Sequence, residues 1–124
     1  MAKQKYSFGD LEQAIMDVVW QRATVTVRDV VETLQTRRVA YTTVMTVMNR
    51  LATQHVLQRQ PSSNGAFRYS ARLRRDDFYA AASRAAIDDL LQRYGAVAMA
   101  QFVDRLDKVP SDKLNALRKK LRNQ

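Results

Sequence analysis

The chain has 124 residues, no cysteine, and 21 lysines and arginines against 12 aspartates and glutamates, giving a formal charge of +9. The lack of cysteine excludes disulfides, thiolate catalysis and thiolate metal sites, and it favours a cytoplasmic protein. The apolar runs are too short to span a bilayer, and the N-terminal MAKQKYSFGD lacks the apolar core of a signal peptide.

Positive charge is concentrated in the first part of the chain. Residues 1–75 hold 12 basic and 5 acidic side chains, whereas residues 76–124 hold 9 and 7. Between Glu32 and Asp76 there is no acidic residue, although this window contains eight arginines. A basic part joined to a nearly neutral part predicts that the first meets a polyanion and the second does something else.

Two amphipathic helices are predicted ahead of this window. The first spans about Asp10 to Arg22, with apolar residues at helical spacing and Gly9 as its N-cap. The second begins after Thr26, a good N-cap, and Asp29 adds negative charge to its first turn. Its expected buried face consists of Val27, Val30, Val31 and Leu34.

A third helix is predicted from about Tyr41 to Gln54. Its apolar stripe is Val44, Val47, Met48 and Leu51. At 100° per residue, the opposite face collects Thr42, Thr43, Thr46, Asn49, Arg50 and Thr53. Threonine offers a hydroxyl and a methyl group to base edges. The predicted base contacts are Thr42, Thr43, Thr46 and Asn49.

Two strands are expected at about residues 56–60 and 66–70, around an Asn64-Gly65 turn. Phe67 and Tyr69 share one strand face and are expected to cover the core. Residues 24–27, TVTV, could add an edge strand. Arginines near the third helix and on both arms of the hairpin suit phosphate groups. The predicted phosphate contacts are Tyr41, Arg37, Arg38, Arg50, Arg59 and Arg68.

From residue 74 onward the chain is predicted to be entirely helical, with breaks at Gly95 and Pro110. Three such helices make a poor core alone, so this region is expected to pack against its copy in a second chain. The predicted dimerisation residues are Phe78, Ala82, Ile87, Leu90, Leu91, Tyr94, Phe102, Leu106, Leu114, Leu117 and Leu121.

The order helix, strand, helix, helix, strand, strand is that of a winged helix-turn-helix. We therefore predict a mainly α fold with a small β-hairpin: a DNA-binding domain over residues 1–73 and a helical dimerisation domain over 74–124. No enzyme, metal site or cofactor is predicted, because no catalytic spacing is present. Two alternatives stay open: a winged helix used for protein–protein assembly, and a nucleic-acid binder indifferent to sequence.

The segments FGDLEQAIMDVVW, VTVRDVVETL, VAYTTVMTVMNRL and FRYSARL resemble the penicillinase-repressor (BlaI/MecI) family. The likeness is close over residues 8–73 and looser beyond them. It implies a homodimeric repressor that binds a palindromic operator on double-stranded DNA and controls antibiotic-resistance genes of the β-lactamase kind.

The resemblance also implies a membrane sensor-protease as a partner, which triggers cleavage of the repressor within its C-terminal helices. The family is cut at an Asn-Phe bond. This chain has Gln101-Phe102 at the matching place, which is therefore the candidate cleavage site. The copper-responsive relatives carry a cysteine cluster, so the absence of cysteine excludes that branch.

Overall fold

The computed structural model describes residues 7–123, which divide into two compact units with a boundary between Ser83 and Arg84. The outer limits expected for the two domains, residues 1 and 124, lie outside the described residues. Those that are described form six α-helices and one two-stranded antiparallel sheet. The predicted fold class, mainly helical with a small β-hairpin, is confirmed.

The first two helices begin where their caps predict. Helix α1 is Asp10–Arg22, and the Glu12 carboxylate accepts a hydrogen bond of 2.8 Å from the Gly9 N–H. Helix α2 is Val27–Thr33, and a short 3₁₀ turn, Gln35–Arg37, follows it. Arg37 therefore lies beyond the end of α2 in the connection to the next helix.

A reciprocal pair of hydrogen bonds fixes the start of α2. The Thr26 hydroxyl oxygen accepts from the Asp29 N–H at 3.1 Å, and the Asp29 carboxylate accepts from the Thr26 N–H at 2.9 Å. Two backbone donors that the helix leaves unpaired are thereby satisfied.

Helix α3, Tyr41–Thr53, ends in a Schellman motif with a histidine at the left-handed position. His55 has φ 63°, its N–H bonds to the Ala52 carbonyl at 3.1 Å, and the Val56 N–H bonds to the Leu51 carbonyl at 2.9 Å. Glycine is the usual residue at this position because it has no Cβ. The motif turns the chain directly from α3 into the hairpin.

The hairpin consists of β1, Leu57–Pro61, and β2, Phe67–Ala71, each beginning one residue later than predicted. Gly65 in the turn has φ 85°, which glycine adopts without strain. In place of an edge strand over residues 24–27, a single antiparallel bridge joins Val25 to Tyr69. The third strand of the wing is thus reduced to one residue.

The core of the first unit lies between α1, α2, α3 and the hairpin, and it is apolar throughout. Its members are Ile15, Met16, Val18, Val19, Val25, Val27, Val30, Val44, Val47, Met48, Leu51, Val56, Leu57, Tyr69 and Phe78. The prediction that Tyr69 covers this core is confirmed. The same prediction for Phe67 is wrong, because its side chain is 41% exposed near the end of the hairpin.

Helix α4, Arg75–Tyr94, begins inside the first unit, which corrects the prediction for Phe78. The Phe78 ring is 2% exposed, stacks on Phe8 at 4.9 Å between centroids and lies 5.7 Å from Trp20. Ala82 also packs against this core. Both were expected at a dimer interface, but the sequence pattern of one helix does not show which half of it packs internally.

The second unit contains the rest of α4, then α5, Ala96–Asp107, and α6, Ser111–Arg122. Gly95, with φ 59°, makes the sharp connection between α4 and α5. None of residues 84–123 is buried, and large apolar side chains there are exposed: Ile87, Leu90, Leu91, Tyr94, Val97, Met99, Phe102, Val103, Leu106, Leu117 and Leu121. Within residues 7–123, no helix is both long enough and apolar enough to cross a bilayer.

Candidate nucleic-acid interface

The outer face of α3 presents polar side chains to solvent because the opposite face is fixed in the core. Val44, Val47, Met48 and Leu51 are buried, whereas Thr42, Thr43, Thr46 and Arg50 are exposed. Tyr41, at the start of the helix, is 48% exposed. The predicted division of α3 into a core face and a polar face is confirmed for these residues. Two residues depart from it, because Met45 is 36% exposed and Asn49 is half-buried.

The N-terminus of α3 carries no negative charge and no side-chain cap. Ala40 stands at the N-cap position, and the first turn contains no acidic residue. The first N–H groups of a helix lack intrahelical partners and favour anions. The start of α3, with Arg37 and Arg38 in the preceding turn, suits a phosphate group.

The hydroxyl of Thr46 is bonded within the helix. It donates to the Thr42 carbonyl at 2.9 Å, and Thr53 makes the equivalent bond to the Asn49 carbonyl at 3.0 Å. In this rotamer the lone pairs of the Thr46 hydroxyl oxygen and the Thr46 methyl group remain available to an external partner. Such a side chain can accept from a base amino group or contact a thymine methyl.

The side chain of Asn49, a residue of α3, is directed towards the hairpin and does not lie on a free surface. Its Oδ1 accepts hydrogen bonds from the Tyr69 hydroxyl at 2.6 Å and from Arg59 Nη1 at 2.8 Å, and the residue is half-buried. The sequence placed Asn49 among the base contacts from helical periodicity alone. Periodicity cannot reveal the two hairpin side chains that occupy its carboxamide oxygen.

The two arginines predicted on the hairpin lie on opposite faces of it. Residues directly opposite in an antiparallel pair share a face, and Arg59 pairs with Tyr69, whereas Arg68 pairs with Gln60. Arg59 lies with its guanidinium carbon 4.3 Å from the centre of the Phe67 ring. The face of Arg59 is the one that packs towards α3.

Arg68, on the other face, donates from Nη2 to the Thr24 hydroxyl at 3.2 Å. It is also close enough to Asp29 to help hold the pKa of that carboxyl below its usual value. The chief cause of that lowered pKa is the hydrogen bond from the Thr26 N–H, which favours the ionised form. The structure therefore does not bring Arg59 and Arg68 to one phosphate-binding surface of the hairpin.

The turn before α3 carries the two remaining predicted arginines. Arg38 adopts the left-handed conformation, with φ 55°, and its side chain is exposed. Arg37 Nη1 lies 3.7 Å from the Asp10 carboxylate, an exposed ion pair of little energetic value in water. Both side chains can therefore reorient towards a stronger anion.

Arg72 and His55, which were not among the predicted DNA contacts, lie beside the predicted site. Arg72 Nη1 is 3.5 Å from His55 Nδ1, and both side chains are exposed. They line a shallow depression of about 280 Å³ between the end of α3 and β1, together with Asn49 and Arg59. The only sequence signal for Arg72 was its place in the acid-free window.

No group of three or more histidines, aspartates or glutamates in residues 7–123 could hold a metal ion. In the same part of the chain, no polar or charged residue is buried. The chemistry available at this surface is that of hydrogen bonding and charge.

Comparison with known proteins identifies the family of this chain. A family model described as penicillinase repressor matches residues 8–123. The chain belongs to the penicillinase repressor family. The curated relative "Transcriptional regulator BlaI" of Mycobacterium tuberculosis, in two strains, is 40% identical over 119 residues, covering 91% of this chain and 81% of that protein. That relative is named as a transcriptional regulator, in agreement with the prediction that this chain is not an enzyme.

Solved structures support the winged-helix fold. The solution structure of the DNA-binding domain of the repressor BlaI matches with a TM-score of 0.53 and 22% identity, over 60% of this chain and 92% of that one. A crystal structure of an E. coli MarR mutant complexed with operator DNA matches with a TM-score of 0.51 and 12% identity, over 94% of this chain and 75% of that one. At these identities the likeness shows the fold alone.

Proposed function

We propose that this penicillinase repressor family member binds double-stranded DNA as a homodimer, with α3 in the major groove at each half of a palindromic operator. The observation that carries the proposal is the exposed threonine face of α3, held rigidly on the core and surrounded by basic side chains. A helix of this width fits the major groove, and its first turns lie deepest there.

In this arrangement Thr42, Thr43 and Thr46 contact base edges, because they occupy the first half of the exposed face. The phosphate contacts come from Tyr41, Arg37, Arg38, Arg50 and Arg59 around that face. Arg68 would reach only a phosphate on the other side of the hairpin. Such contacts orient the protein and carry little sequence information.

Homodimerisation through the second unit would give the apolar side chains there a partner. Large exposed apolar patches are uncommon on monomeric proteins and are typical of interaction sites, and eleven large apolar side chains of this unit are exposed. The proposed interface residues are Ile87, Leu90, Leu91, Tyr94, Phe102, Leu106, Leu114, Leu117 and Leu121. Two linked half-sites then match the dyad symmetry expected of the operator.

The family description supports antibiotic-resistance genes of the β-lactamase kind as targets. The lack of cysteine favours a cytoplasmic setting. Induction would follow cleavage of the Gln101-Phe102 bond, triggered by a membrane sensor-protease. Both residues are exposed on α5. Because they lie within the helix, local unwinding would have to precede cleavage.

Selection of genomic fragments with the purified protein tests the proposal. Recovery of one palindromic sequence, bound by two chains in sedimentation, is the expected result. Equal recovery of all fragments, with affinity that depends on salt alone, would instead indicate a binder indifferent to sequence. Recovery of no fragment would leave the protein–protein module as the better account of the fold.

A further inference from the structure

The carboxamide of Asn49 joins the recognition helix to the hairpin through one oxygen atom. Arginine can only donate hydrogen bonds, so the atom 2.8 Å from Arg59 Nη1 has to be the acceptor Oδ1. The Tyr69 hydroxyl donates to the same oxygen at 2.6 Å, and the Tyr69 ring is 2% exposed. Asn49 is thereby anchored to a side chain of the core.

This arrangement limits what Asn49 can do with a base. Asparagine reads adenine by accepting from the amino group with Oδ1 while donating with Nδ2. A carbonyl oxygen has two lone pairs, and here both have donors. Reading adenine would break at least one of these bonds and leave a donor of the hairpin unpaired.

Arg59, in contrast, is held at two points and keeps further donors free. Asn49 bonds one N–H of its guanidinium, and the Phe67 ring lies 4.3 Å below the guanidinium carbon. A guanidinium has five N–H groups, so others remain for a phosphate. Restricting the side chain beforehand lowers the entropy lost when it binds.

We propose that Asn49 is a positioning residue that holds the Arg59 guanidinium against a DNA phosphate, and that it reads no base. This inference rests on the proposed DNA binding and deepens it. It assigns α3 two functions: the threonines in its first half read sequence, and Asn49 aligns the hairpin with the backbone of the duplex.

The test is the salt dependence of DNA affinity. Each phosphate contact contributes about one unit to the slope of log affinity against log salt. Affinities would be measured between about 50 and 200 mM salt. The probes are the selected duplex and a mixed-sequence duplex of about three helical turns. Arg59→Ala should flatten the slope by about one unit per chain on both probes.

Asn49→Ala should flatten the slope to a similar extent without changing base preference. The double variant with Arg59→Ala should lose little more, because the two side chains form one contact. Arg68→Ala is the matched control, since this arginine lies on the other face of the hairpin. Its effect should add to that of Asn49→Ala. Thr53→Ala, on the outer face of α3, should leave the slope unchanged.

Phe67→Leu supplies a second variant that does not disturb the core, because Phe67 is exposed. It removes the aromatic support of Arg59 and should give a smaller change of the same kind. Thermal unfolding of each variant separates loss of fold from loss of binding. A preserved fold with a weaker salt slope supports the positioning function.

An unchanged slope for Asn49→Ala, with altered preference at one base pair, would overturn the inference and make Asn49 a base reader. Additive losses in the double variant with Arg59→Ala would overturn it too. Failure of the wild-type chain to bind either duplex would instead refute the proposed function itself. The two failures are therefore distinguishable.

Discussion

The chemistry of Thr46 is determined by a bond inside its own helix. Its hydroxyl proton is directed to the Thr42 carbonyl, so the exposed side of the residue offers lone pairs and a methyl group. Thr53 makes the same internal bond about two turns further along α3. The two threonines thus have equivalent local structure and differ in their distance from the start of the helix.

Thr46→Ala is expected to relax specificity at one base pair in each half-site. It should weaken binding to the selected operator by about 1–3 kcal/mol, the value of one good base contact. Affinities for operators substituted at each position would be measured for both proteins. Thr53→Ala is the matched control and should change none of them. Equal weakening on every operator variant would exclude Thr46 as a reader.

The backbone of His55 is in a strained conformation, and glycine at this position would relieve the strain. Its φ of 63° places the backbone in the left-handed conformation. In residues other than glycine this conformation costs roughly 1–2 kcal/mol, because Cβ comes too close to the following carbonyl oxygen. His55→Gly should therefore stabilise the protein by roughly 1 kcal/mol. Urea unfolding would measure this, with His55→Ala as a control that keeps Cβ. Destabilisation would show that the contact with Arg72 outweighs the strain.

At the scale of helices and strands, the sequence predicts most boundaries because the responsible signals are local. Gly9 and Thr26 as N-caps, and Gly95 at the end of α4, each act on neighbouring residues. The predicted starts of α1 and α2 are thus confirmed. The hairpin is displaced by one residue, since its register depends on pairing across the turn.

Contacts between elements were the part that the sequence did not show. Phe67 was misjudged, and the hydrogen bonds from the hairpin to Asn49 were not foreseen, because helical and strand periodicity describe a face and not its partner. The same holds for Phe78, whose helix α4 begins within the first unit. Arg68 was paired with Arg59 because both lie on the hairpin, although the strand register puts them on opposite faces.

The capping pair of α2 gives a prediction for pH. The pKa of Asp29 is lowered in the folded protein, so its ionised form stabilises the fold above the ordinary value of about 3.9. This stability is lost as the pH falls below about 4 towards the lowered pKa. Asp29→Asn should therefore cost about 0.3–1 kcal/mol at pH 6, the usual value of an acidic group at a helix start.

The measurement is urea unfolding of the wild-type and Asp29→Asn proteins between about pH 3 and pH 6. The difference in unfolding free energy should shrink as the pH falls below about 4, because protonation of Asp29 removes the charge that stabilises the folded protein. Other carboxylates titrate in both proteins and cancel in the difference. A difference in unfolding free energy that stays constant from about pH 3 to pH 6 would contradict the claim that ionised Asp29 stabilises the start of α2.

At the scale of the whole molecule, the two units differ in how many side chains each one buries. The first has an apolar core with fifteen buried residues, whereas none of residues 84–123 is buried. A unit without buried side chains gains little from the hydrophobic effect on its own. A second copy would supply the missing burial, and it would also link two copies of α3 for a symmetric operator. Stability and DNA affinity should then depend on the same apolar face.

Phe102→Glu tests this dependence, because it places a charge where a ring, 53% exposed, is proposed to meet the second copy. Sedimentation at micromolar concentration should show a monomer. Operator affinity should fall by about 10²-fold or more, since the two half-sites are then bound independently. Gln101→Glu adds the same charge at the neighbouring exposed position, about 100° around α5, and should preserve both the dimer and the affinity. If Phe102→Glu stayed dimeric, this face of α5 would not be part of the interface. If it became monomeric with unchanged affinity, operator binding would not require two linked chains.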